Sequence, residues 1–271
     1  MYRCKTLIAS NGDTAAQEKR LSICLGANGF SFSETAVASG MLLTFGEAEG
    51  EHAATITDAT RDVKALFAEI GMRPLGYKAM ELIVMSDEST WVPDELYSVG
   101  SNRQYLKLVG GKELSLMTCH SSAIGSTAVF ACNDQLVMGF KVALPGLTVM
   151  NQHAKMVQLK ERSKSHPLLF AHWREGSVDV AACKEGRYLF GNTLHYGTTE
   201  EALFRLMEVV KTCDIAGNST ELMLCGDVDR ELFASMQPYF PKTTLYGGEV
   251  VKFASDDFKK LRTYKYALIL M

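Results

Sequence analysis

The stretch from Leu168 to His195 constrains the fold most, because it predicts three strands joined by two tight turns. Each turn contains a glycine, at Glu175-Gly176 and Glu185-Gly186, and glycine tolerates the positive φ that hairpin turns require. The order therefore predicts an antiparallel meander. Its three strands are Leu168–Trp173, Ser177–Lys184 and Tyr188–His195.

A helix is predicted directly after this meander. Thr198 and Glu201 have the spacing of a capping box, in which each side chain satisfies a free backbone N–H. The apolar residues that follow recur at i, i+3, i+4 and i+7, which is one face of a helix. They are Leu203, Leu206, Met207 and Val210.

The same plan occurs near the start of the chain. An Asn28-Gly29 turn joins two predicted strands, a third strand follows, and Thr57 or Asp58 can cap a helix. The three strands are Leu21–Gly26, Phe30–Thr35 and Met41–Phe45, and the apolar stripe of the helix is Val63, Leu66, Phe67 and Ile70.

The two plans match at a nearly constant spacing. The two helical stripes lie 140 residues apart, and so do Glu81–Asp87 and Glu221–Asp227, which share Glu, Leu and Asp. An offset of 147 superposes Gly29 on Gly176. We interpret this as a duplicated strand–strand–strand–helix–strand unit. The alternative is two unrelated α/β segments.

The rest of the chain suggests a two-domain division. Residues 1–19 are polar and predict a partly ordered lead-in, residues 20–165 a first domain, and residues 166–271 a second. The boundary is placed at Ser163–Pro167, since proline ends a helix. Residues 100–149 have no counterpart and predict a β-rich extension of the first domain, with strands Glu113–His120, Ser126–Asn133 and Gln135–Leu144 and a turn at Asn133-Asp134.

The connecting and final segments complete the prediction. Val149–Arg162 reads as a helix between the domains, and Pro93 starts a helical turn that reaches Ser98. After Asp227 we expect a short helix ending at Pro238, a strand over Lys242–Tyr246, a helix over Asp256–Leu261 and a closing strand over Tyr264–Met271.

Charge and composition exclude some classes of function. The net charge is −3 over 271 residues, which leaves no basic surface expected for nucleic acid or an anionic membrane. The seven cysteines have no CxxC pair, and several lie in apolar strands, as is typical of a reducing compartment. With no signal peptide and no apolar run long enough to cross a membrane, we expect a cytoplasmic protein.

Common catalytic motifs are missing. Gly110-Gly111-Lys112 lacks the leading Gly and the Ser or Thr of a P-loop, and neither GxGxxG after a strand nor GxSxG occurs. Asp227 and Asp229 read more simply as acids at a helix start than as metal ligands. The scattered histidines predict no zinc site. We therefore predict no metal ligands and no catalytic residues.

The repeated unit resembles the ribonuclease-H-like domains of actin-like ATPases. The second half is similar to actin-like pilus-assembly and cell-division proteins in its K-x-G-x-x-L-F run, Lys184–Phe190, and in Gly197. LSICLGANGFSF and Leu169–Tyr196 resemble an uncharacterised bacterial family with the same fold. The resemblance implies an α/β protein with two such domains, each with a mixed sheet, facing a cleft.

The resemblance also implies where a nucleotide would lie. In actin-like ATPases each first hairpin holds phosphate, its Asp serves the metal, and a glycine pair contacts adenosine. Carried onto this chain, the implied cofactor-binding positions are Asn28, Gly29, Ser31, Gly176, Ser177, Gly226 and Asp227.

Departures from that pattern decide the functional prediction. Cys24 and Ala171 stand where the family has its acids, and Asp227 adds negative charge beside a nucleotide. We therefore expect a catalytically degenerate, cytoplasmic protein that binds or scaffolds a protein partner, or forms a homo-oligomer, and uses no cofactor. The alternative is an ATPase or small-molecule kinase that uses Mg-ATP in a rearranged cleft with Asn28, Ser31, Ser177 and Asp227.

A further hypothesis concerns the residues after Ala171. His172, Trp173 and Arg174 could line a cleft for another anionic ligand. The interpretation we favour is that Trp173 packs beneath the hairpin and Arg174 faces solvent.

Overall fold

A computed structural model describes residues 1–10, 18–51, 53–73, 76–108, 115–249 and 252–271. Within these residues the chain builds two mixed sheets, one in each half, and a small antiparallel sheet. Helices cover the sheets, so the protein is α/β as predicted.

The first sheet is a meander followed by parallel strands. Its order is β1-β4-β3-β2-β5-β9; β2, β3 and β4 are antiparallel neighbours, and β5 and β9 add in parallel. The strands are β1 Arg3–Ala9, β2 Lys19–Gly26, β3 Gly29–Ala36, β4 Met41–Glu49, β5 Tyr77–Val84 and β9 Thr148–Asn151.

The second sheet repeats this order as β12-β11-β10-β13-β14. Its strands are β10 Leu168–Arg174, β11 Ser177–Lys184, β12 Arg187–His195, β13 Glu221–Gly226 and β14 Lys242–Leu245. The small sheet has the order β6-β8-β7, with β6 Ser89–Pro93, β7 Leu116–Ser121 and β8 Ser126–Ala131, and β15 Lys252–Phe253 pairs with β4.

Helices fill the connections. The α-helices are α1 Ile56–Glu69, α2 Asn102–Leu108, α3 Asp134–Ala143, α4 Gln152–Met156, α5 Thr199–Thr212 and α6 Arg230–Met236. The 3₁₀ segments are Asp94–Leu96, Val99–Ser101, Val157–Lys164, Asp256–Lys260 and Thr263–Ile269. Among the described residues, no helix has the length and apolar composition to cross a membrane.

The two halves share one topology. Units β2-β3-β4-α1-β5 and β10-β11-β12-α5-β13 pair their strands in the same order and sense, which confirms the predicted elements. The Thr198 cap is also confirmed, since its hydroxyl accepts from the Glu201 N–H at 3.2 Å. The first helix is capped by Thr55, not by the predicted Thr57 or Asp58. Tandem duplication as the origin stays a hypothesis.

The strand registers correct the predicted match between hairpins. Cys24 lies opposite Ser31, and His172 lies opposite Asp179 at the same distance from the turn. Cys24 therefore corresponds to His172, not to Ala171. A shift of one residue moves a side chain to the other face of a sheet. Accordingly, Cys24 packs toward the core between the sheets, whereas Ala171 faces the outer core.

The predicted extension is less β-rich than expected. The predicted strand Gln135–Leu144 is helix α3 up to Ala143, and Asn133 caps that helix by accepting from the Leu136 N–H at 3.0 Å instead of forming a hairpin turn. The start of the predicted strand Glu113–His120 lies outside the described residues. Of the helix predicted over Val149–Arg162, the first part is strand β9.

Both ends of the chain also differ from the prediction. The lead-in contains β1, which pairs with β4 and turns Cys4, Thr6 and Ile8 inward. The expected closing strand is the 3₁₀ segment Thr263–Ile269, which packs between the two sheets. The helical turn predicted over Pro93–Ser98 is present as the 3₁₀ segment Asp94–Leu96, and Pro93 is both the last residue of β6 and the residue that precedes this turn. The division at Ser163–Pro167 stays a prediction, although the final residues reach back to the first sheet.

One apolar core joins the two sheets. Phe45 and Ile83 from the first sheet meet Phe170 and Met223 from the second, with Met156 between them. Two further cores lie on the outer faces, one under α1 and α3 and one under α5. The halves are therefore packed on each other through buried apolar side chains.

Helix α3 approaches α1 closely at a glycine. A Cβ at Gly139 would lie 2.3 Å from the Ala59 Cβ, so Gly139→Ala should push the helices apart and cost about 1–3 kcal/mol of folding stability. A Cβ at Gly100 meets no atom within 4 Å, so Gly100→Ala is the matched control. Urea unfolding of both variants tests this, and equal midpoints would show that the contact is relaxed elsewhere.

Candidate functional site

The candidate site lies where the β10–β11 hairpin faces the first half of the chain. Asp179 on β11 is fully buried, and its side chain points toward the same side as His172. We call the group of Asp179, Arg174, His172, Thr193 and Gln152 the Asp179 cluster.

Five hydrogen bonds converge on the Asp179 carboxylate. Arg174 binds it bidentately, with Nε to Oδ2 and Nη2 to Oδ1 both at 2.8 Å. The Thr193 hydroxyl donates to Oδ1 at 2.7 Å, the Gln152 amide donates to Oδ1 at 3.0 Å, and His172 Nδ1 lies 3.2 Å from Oδ2. An ionised carboxylate has about four lone-pair directions, so its acceptor capacity is used.

The surroundings keep this pair charged. Burial alone would raise the pKa of Asp179, but the hydrogen bond from His172 and the Arg174 guanidinium hold it well below its usual range. Burial opposes the charge on Arg174, and the carboxylates of Asp179 and Asp87 raise its pKa. A bidentate pair of this kind is stabilising only when every remaining donor and acceptor is satisfied.

The cluster also connects the two halves. Arg174 Nη1 lies 2.7 Å from Asp87 Oδ1, in the loop that follows β5. Gln152 accepts from the Ser86 N–H at 3.1 Å and donates to the Ser86 carbonyl at 2.6 Å, while its amide also reaches Asp179. The first half is therefore tied to β11 by side chains that meet at one buried acid.

A second buried histidine lies beside the cluster. His153 Nε2 is 3.0 Å from the Thr193 hydroxyl oxygen, and because Thr193 gives its proton to Asp179, His153 donates from Nε2. Its Nδ1 is buried without a hydrogen-bond partner among the described residues. Burial lowers the pKa of His153 to about 4, so the ring is neutral at pH 7.

The first hairpin presents a thiol at the corresponding position. Burial raises the pKa of the Cys24 thiol to about 12, so it stays protonated. A neutral thiol is a poor ligand for magnesium, which prefers hard oxygen donors. No group of three or more His, Cys, Asp or Glu side chains suited to a metal occurs within the described parts of the chain.

Three of the residues implied by the resemblance lie on the first hairpin. Asn28 is exposed at the turn, and its carbonyl accepts from the Gly50 N–H at 3.2 Å. Gly29 is buried against β4, where a Cβ would lie 2.0 Å from the Ala48 carbonyl oxygen. Ser31 pairs with Cys24 and Glu47 across the sheet. The close approach to β4 explains the glycine without a ligand.

The other four lie on the second half. Gly176 is exposed at the β10–β11 turn, and Ser177 is buried opposite Arg174. Gly226 has φ +83°, and a Cβ there would lie 2.2 Å from the Trp173 carbonyl oxygen. The Asp227 N–H donates to that same oxygen at 2.9 Å, so β10 and β13 bring these residues to one edge of the second sheet. Their role in cofactor binding stays a prediction.

Asp227 also lines a cleft of about 660 Å³ beyond the ends of β13 and β14. The cleft includes Arg230 from α6 and Arg262 and Lys265 from the final segment. Sequence reasoning missed these basic residues because it placed Lys265 in a closing strand, and because α6 and the final segment come together only in the folded chain.

The hypothesis of a cleft lined by His172, Trp173 and Arg174 is wrong. Trp173 is buried in the outer core, edge-on to Tyr196 at 5.3 Å between ring centroids. His172 and Arg174 point the other way, to Asp179. The favoured interpretation was right for Trp173 and wrong for Arg174, which is only 23% exposed.

Asp179 itself was missed. The signal was available, since an acid in the middle of an otherwise apolar, fully buried strand must be paired. Its partner Thr193 lies opposite it on β12, within the predicted meander, whereas Gln152 reaches it only through tertiary packing.

Comparison with known proteins assigns the chain to a family. The model of a family described as "Protein of unknown function (DUF3822)" matches residues 10–243. The chain belongs to the DUF3822 family. This confirms the predicted relation to an uncharacterised family. No curated protein matches the sequence.

Solved structures confirm the actin-like fold of this DUF3822 member. A protein of unknown function with an actin-like ATPase fold from Bacteroides thetaiotaomicron superposes with a TM-score of 0.67 at 18% identity, covering 86% of this chain and 92% of that one. A PilM–PilN type IV pilus biogenesis complex gives a TM-score of 0.53 at 11% identity, covering 94% of this chain and 97% of that one. At these identities the likeness concerns the fold.

Removing the buried acid should destabilise the protein strongly. Asp179→Asn leaves the half-buried Arg174 without its bidentate partner, which we expect to cost about 3–5 kcal/mol of unfolding free energy. Asp87→Asn removes the exposed partner of the same guanidinium and should cost under about 1 kcal/mol. Unfolding by guanidinium chloride gives the stability of the two variants. Similar losses of unfolding free energy would show that burial does not set the strength of these ion pairs.

Acid should weaken the fold through His153. Its folded pKa of about 4 lies below the 6.5 of an unperturbed histidine, so unfolding takes up a proton and stability falls as pH drops from 6.5 to 4. The full shift corresponds to about 3 kcal/mol. The pKa of Asp179 is lowered in the folded state, so its contribution to folding stability is lost only below about pH 4.

The measurement is the unfolding free energy of wild type and His153→Gln between pH 7 and 4. Gln retains an N–H for Thr193 and cannot titrate, so the variant should lose most of the slope between pH 6.5 and 4. His120→Gln, which changes an exposed histidine, is the control. An unchanged slope in His153→Gln would contradict the assignment.

Proposed function

We propose that this DUF3822 protein is an actin-like protein that has lost nucleotide hydrolysis and acts in the cytoplasm by binding a protein partner. The observation that carries the proposal is the Asp179 carboxylate, whose two oxygens accept five hydrogen bonds from its own chain. Scaffolding, with or without self-association, is the role that fits a retained fold with an altered site.

The chemistry of phosphoryl transfer supports this proposal. Transfer depends on positioning and on charge stabilisation by a metal that takes oxygen ligands. At the hairpin positions that correspond to each other stand Cys24, a protonated thiol, and His172, which is bound to Asp179. A magnesium ion at Asp179 would have to displace the Arg174 guanidinium.

The packing between the halves supports a rigid binding role. Proteins that close around a ligand rotate domains about a hinge and open a cleft between them. Here Phe45, Met156 and Phe170 belong to one buried core that spans both sheets. Opening the halves would expose these side chains, at about 25 cal/mol for each Å² of apolar surface.

Exposed apolar side chains support a protein partner. Leu96, Val99 and Leu108 lie in one short segment of the described chain and are 69%, 75% and 85% exposed. Exposed apolar side chains, where they form a patch, are typical of surfaces that partners cover. This segment belongs to residues 94–108, beside the small sheet.

Nucleotide should leave thermal stability unchanged. A ligand at 100 times its Kd adds about 2.7 kcal/mol of stability, which is several degrees in Tm for a chain of this size. We expect a shift under about 1 °C with Mg-ATP at 5 mM, roughly 100 times a Kd of 50 μM, and no phosphate release. Magnesium chloride alone and sodium triphosphate are the controls. A rise of several degrees specific to Mg-ATP would overturn the loss of nucleotide function.

Binding is tested by crosslinking in the native cell followed by identification of captured proteins. We expect one discrete partner, or a second copy of the chain, that is lost in Leu96→Ser/Val99→Ser. Phe204→Ser, at an exposed position on α5, should retain it. If all variants capture the partner equally, residues 94–108 are not the binding surface. If no protein is captured specifically, the result opposes a scaffolding role.

A further inference from the structure

The cleft beyond β13 and β14 has features of a small-molecule site. Its volume of about 660 Å³ lies in the range of ligand pockets, and it opens at the carboxyl ends of two parallel strands. The loop after β13 and the start of α6 contribute Asp227, Asp229 and Arg230, and the final segment contributes Arg262 and Lys265.

The acids of this cleft already have partners. Asp229 Oδ1 accepts from the Leu232 N–H at 2.8 Å and so caps α6. Asp227 Oδ1 lies 3.7 Å from Lys265 Nζ. Neither carboxylate is directed to an arginine, so the acids leave the guanidinium groups of the cleft unneutralised.

Two arginines of the cleft have unused hydrogen-bonding capacity. The side chains of Arg230 and Arg262 are exposed, and neither makes a hydrogen bond or an ion pair within the described parts of the chain. A guanidinium offers five N–H donors in a planar fork that matches a carboxylate or phosphate group. The free donors therefore favour an anionic ligand.

The rest of the lining is apolar. Phe233 and Tyr264 are partly buried against the outer core and present ring surface to the cleft, and Leu245 at the end of β14 is 47% exposed. An inorganic ion would leave this apolar surface exposed to water. A ligand with an apolar body would cover it and gain hydrophobic stabilisation.

We propose that this cleft binds a small organic anion, with its phosphate or carboxylate group held by Arg230 and Arg262 and its apolar body against Phe233 and Tyr264. The site is separate from the Asp179 cluster and goes beyond the proposed scaffolding role. Ligand binding at Arg262 would also fix the final segment, which packs between the two sheets.

The test is calorimetric titration of the full chain with phenyl phosphate, benzoate and inorganic phosphate, without nucleotide or magnesium. We expect saturable binding of phenyl phosphate or benzoate, tighter than that of inorganic phosphate and weaker at high salt. The stronger of the two organic probes identifies the anionic group. Arg230→Gln and Arg262→Gln should each weaken binding about 10-fold or more, as for charge-assisted hydrogen bonds.

Matched variants separate the site from general charge. Arg187→Gln changes an exposed arginine outside the cleft and should leave binding unchanged. Arg262→Lys keeps the charge and removes the fork, so it should recover only part of the affinity. Phe233→Leu should weaken the binding of phenyl phosphate more than the binding of inorganic phosphate.

Two results would overturn the proposal. One is that none of the three probes saturates the protein at concentrations up to about 10 mM, since a Kd above that value is weaker than that of a typical weak complex. The other is unchanged binding in the double variant Arg230→Gln/Arg262→Gln. A stabilisation by Mg-ATP that this double variant retains would count against the proposed function alone, because it would place the nucleotide outside the cleft.

Discussion

The buried carboxylate of Asp179 is the interaction on which the arrangement of the two halves depends. A fully buried charge costs several kcal/mol in lost hydration unless a counter-charge and hydrogen bonds replace the water. Here Arg174 supplies the charge, and Thr193, Gln152 and His172 supply the remaining donors. The donors come from β10, β12 and α4, so the acid can be satisfied only when these three elements are in place together.

This requirement determines where α4 lies. Gln152 must reach Asp179 and the backbone of Ser86 at once. Three residues later Lys155 pairs with Glu81 at 2.7 Å. Burial lowers the pKa of Lys155, and the Glu81 carboxylate opposes that shift. The connector is thus fixed by polar contacts on both sides, and Met156 then adds its side chain to the shared core.

What the sequence could predict follows the range of the interactions involved. The meander β10–β12 and helix α5 depend on glycine turns and a cap within a few residues, and both were predicted. Helix α3 was read as a strand because its residues are mostly apolar, and its helical state rests on Asn133 and on packing against α1. Strand β1 was missed because its pairing partner, β4, is about 40 residues away.

The candidate site shows the same limit. Matching Gly29 to Gly176 gave Ala171 the position of Cys24. Gly29 is the first residue of β3, whereas Gly176 lies inside its turn, so the match was shifted by one residue and His172 holds that position. Asp179 was visible as an acid in an apolar strand, yet its partners lie 5, 14 and 27 residues away in sequence. The cofactor-binding positions that the resemblance implies near Gly226 could be located in the sequence, because a glycine beside a strand end is a local signal.

The position of the acid bears on how the fold is used. In the family that the chain resembles, the acid stands on the outgoing strand of the hairpin, where this chain has Cys24 and His172. Asp179 stands on the return strand, opposite His172. A carboxylate that binds a cation must keep lone pairs open toward the cleft, whereas one that joins two halves of a chain must have them occupied. The Asp179 oxygens accept hydrogen bonds from residues of both halves of the chain, so this carboxylate joins the two halves.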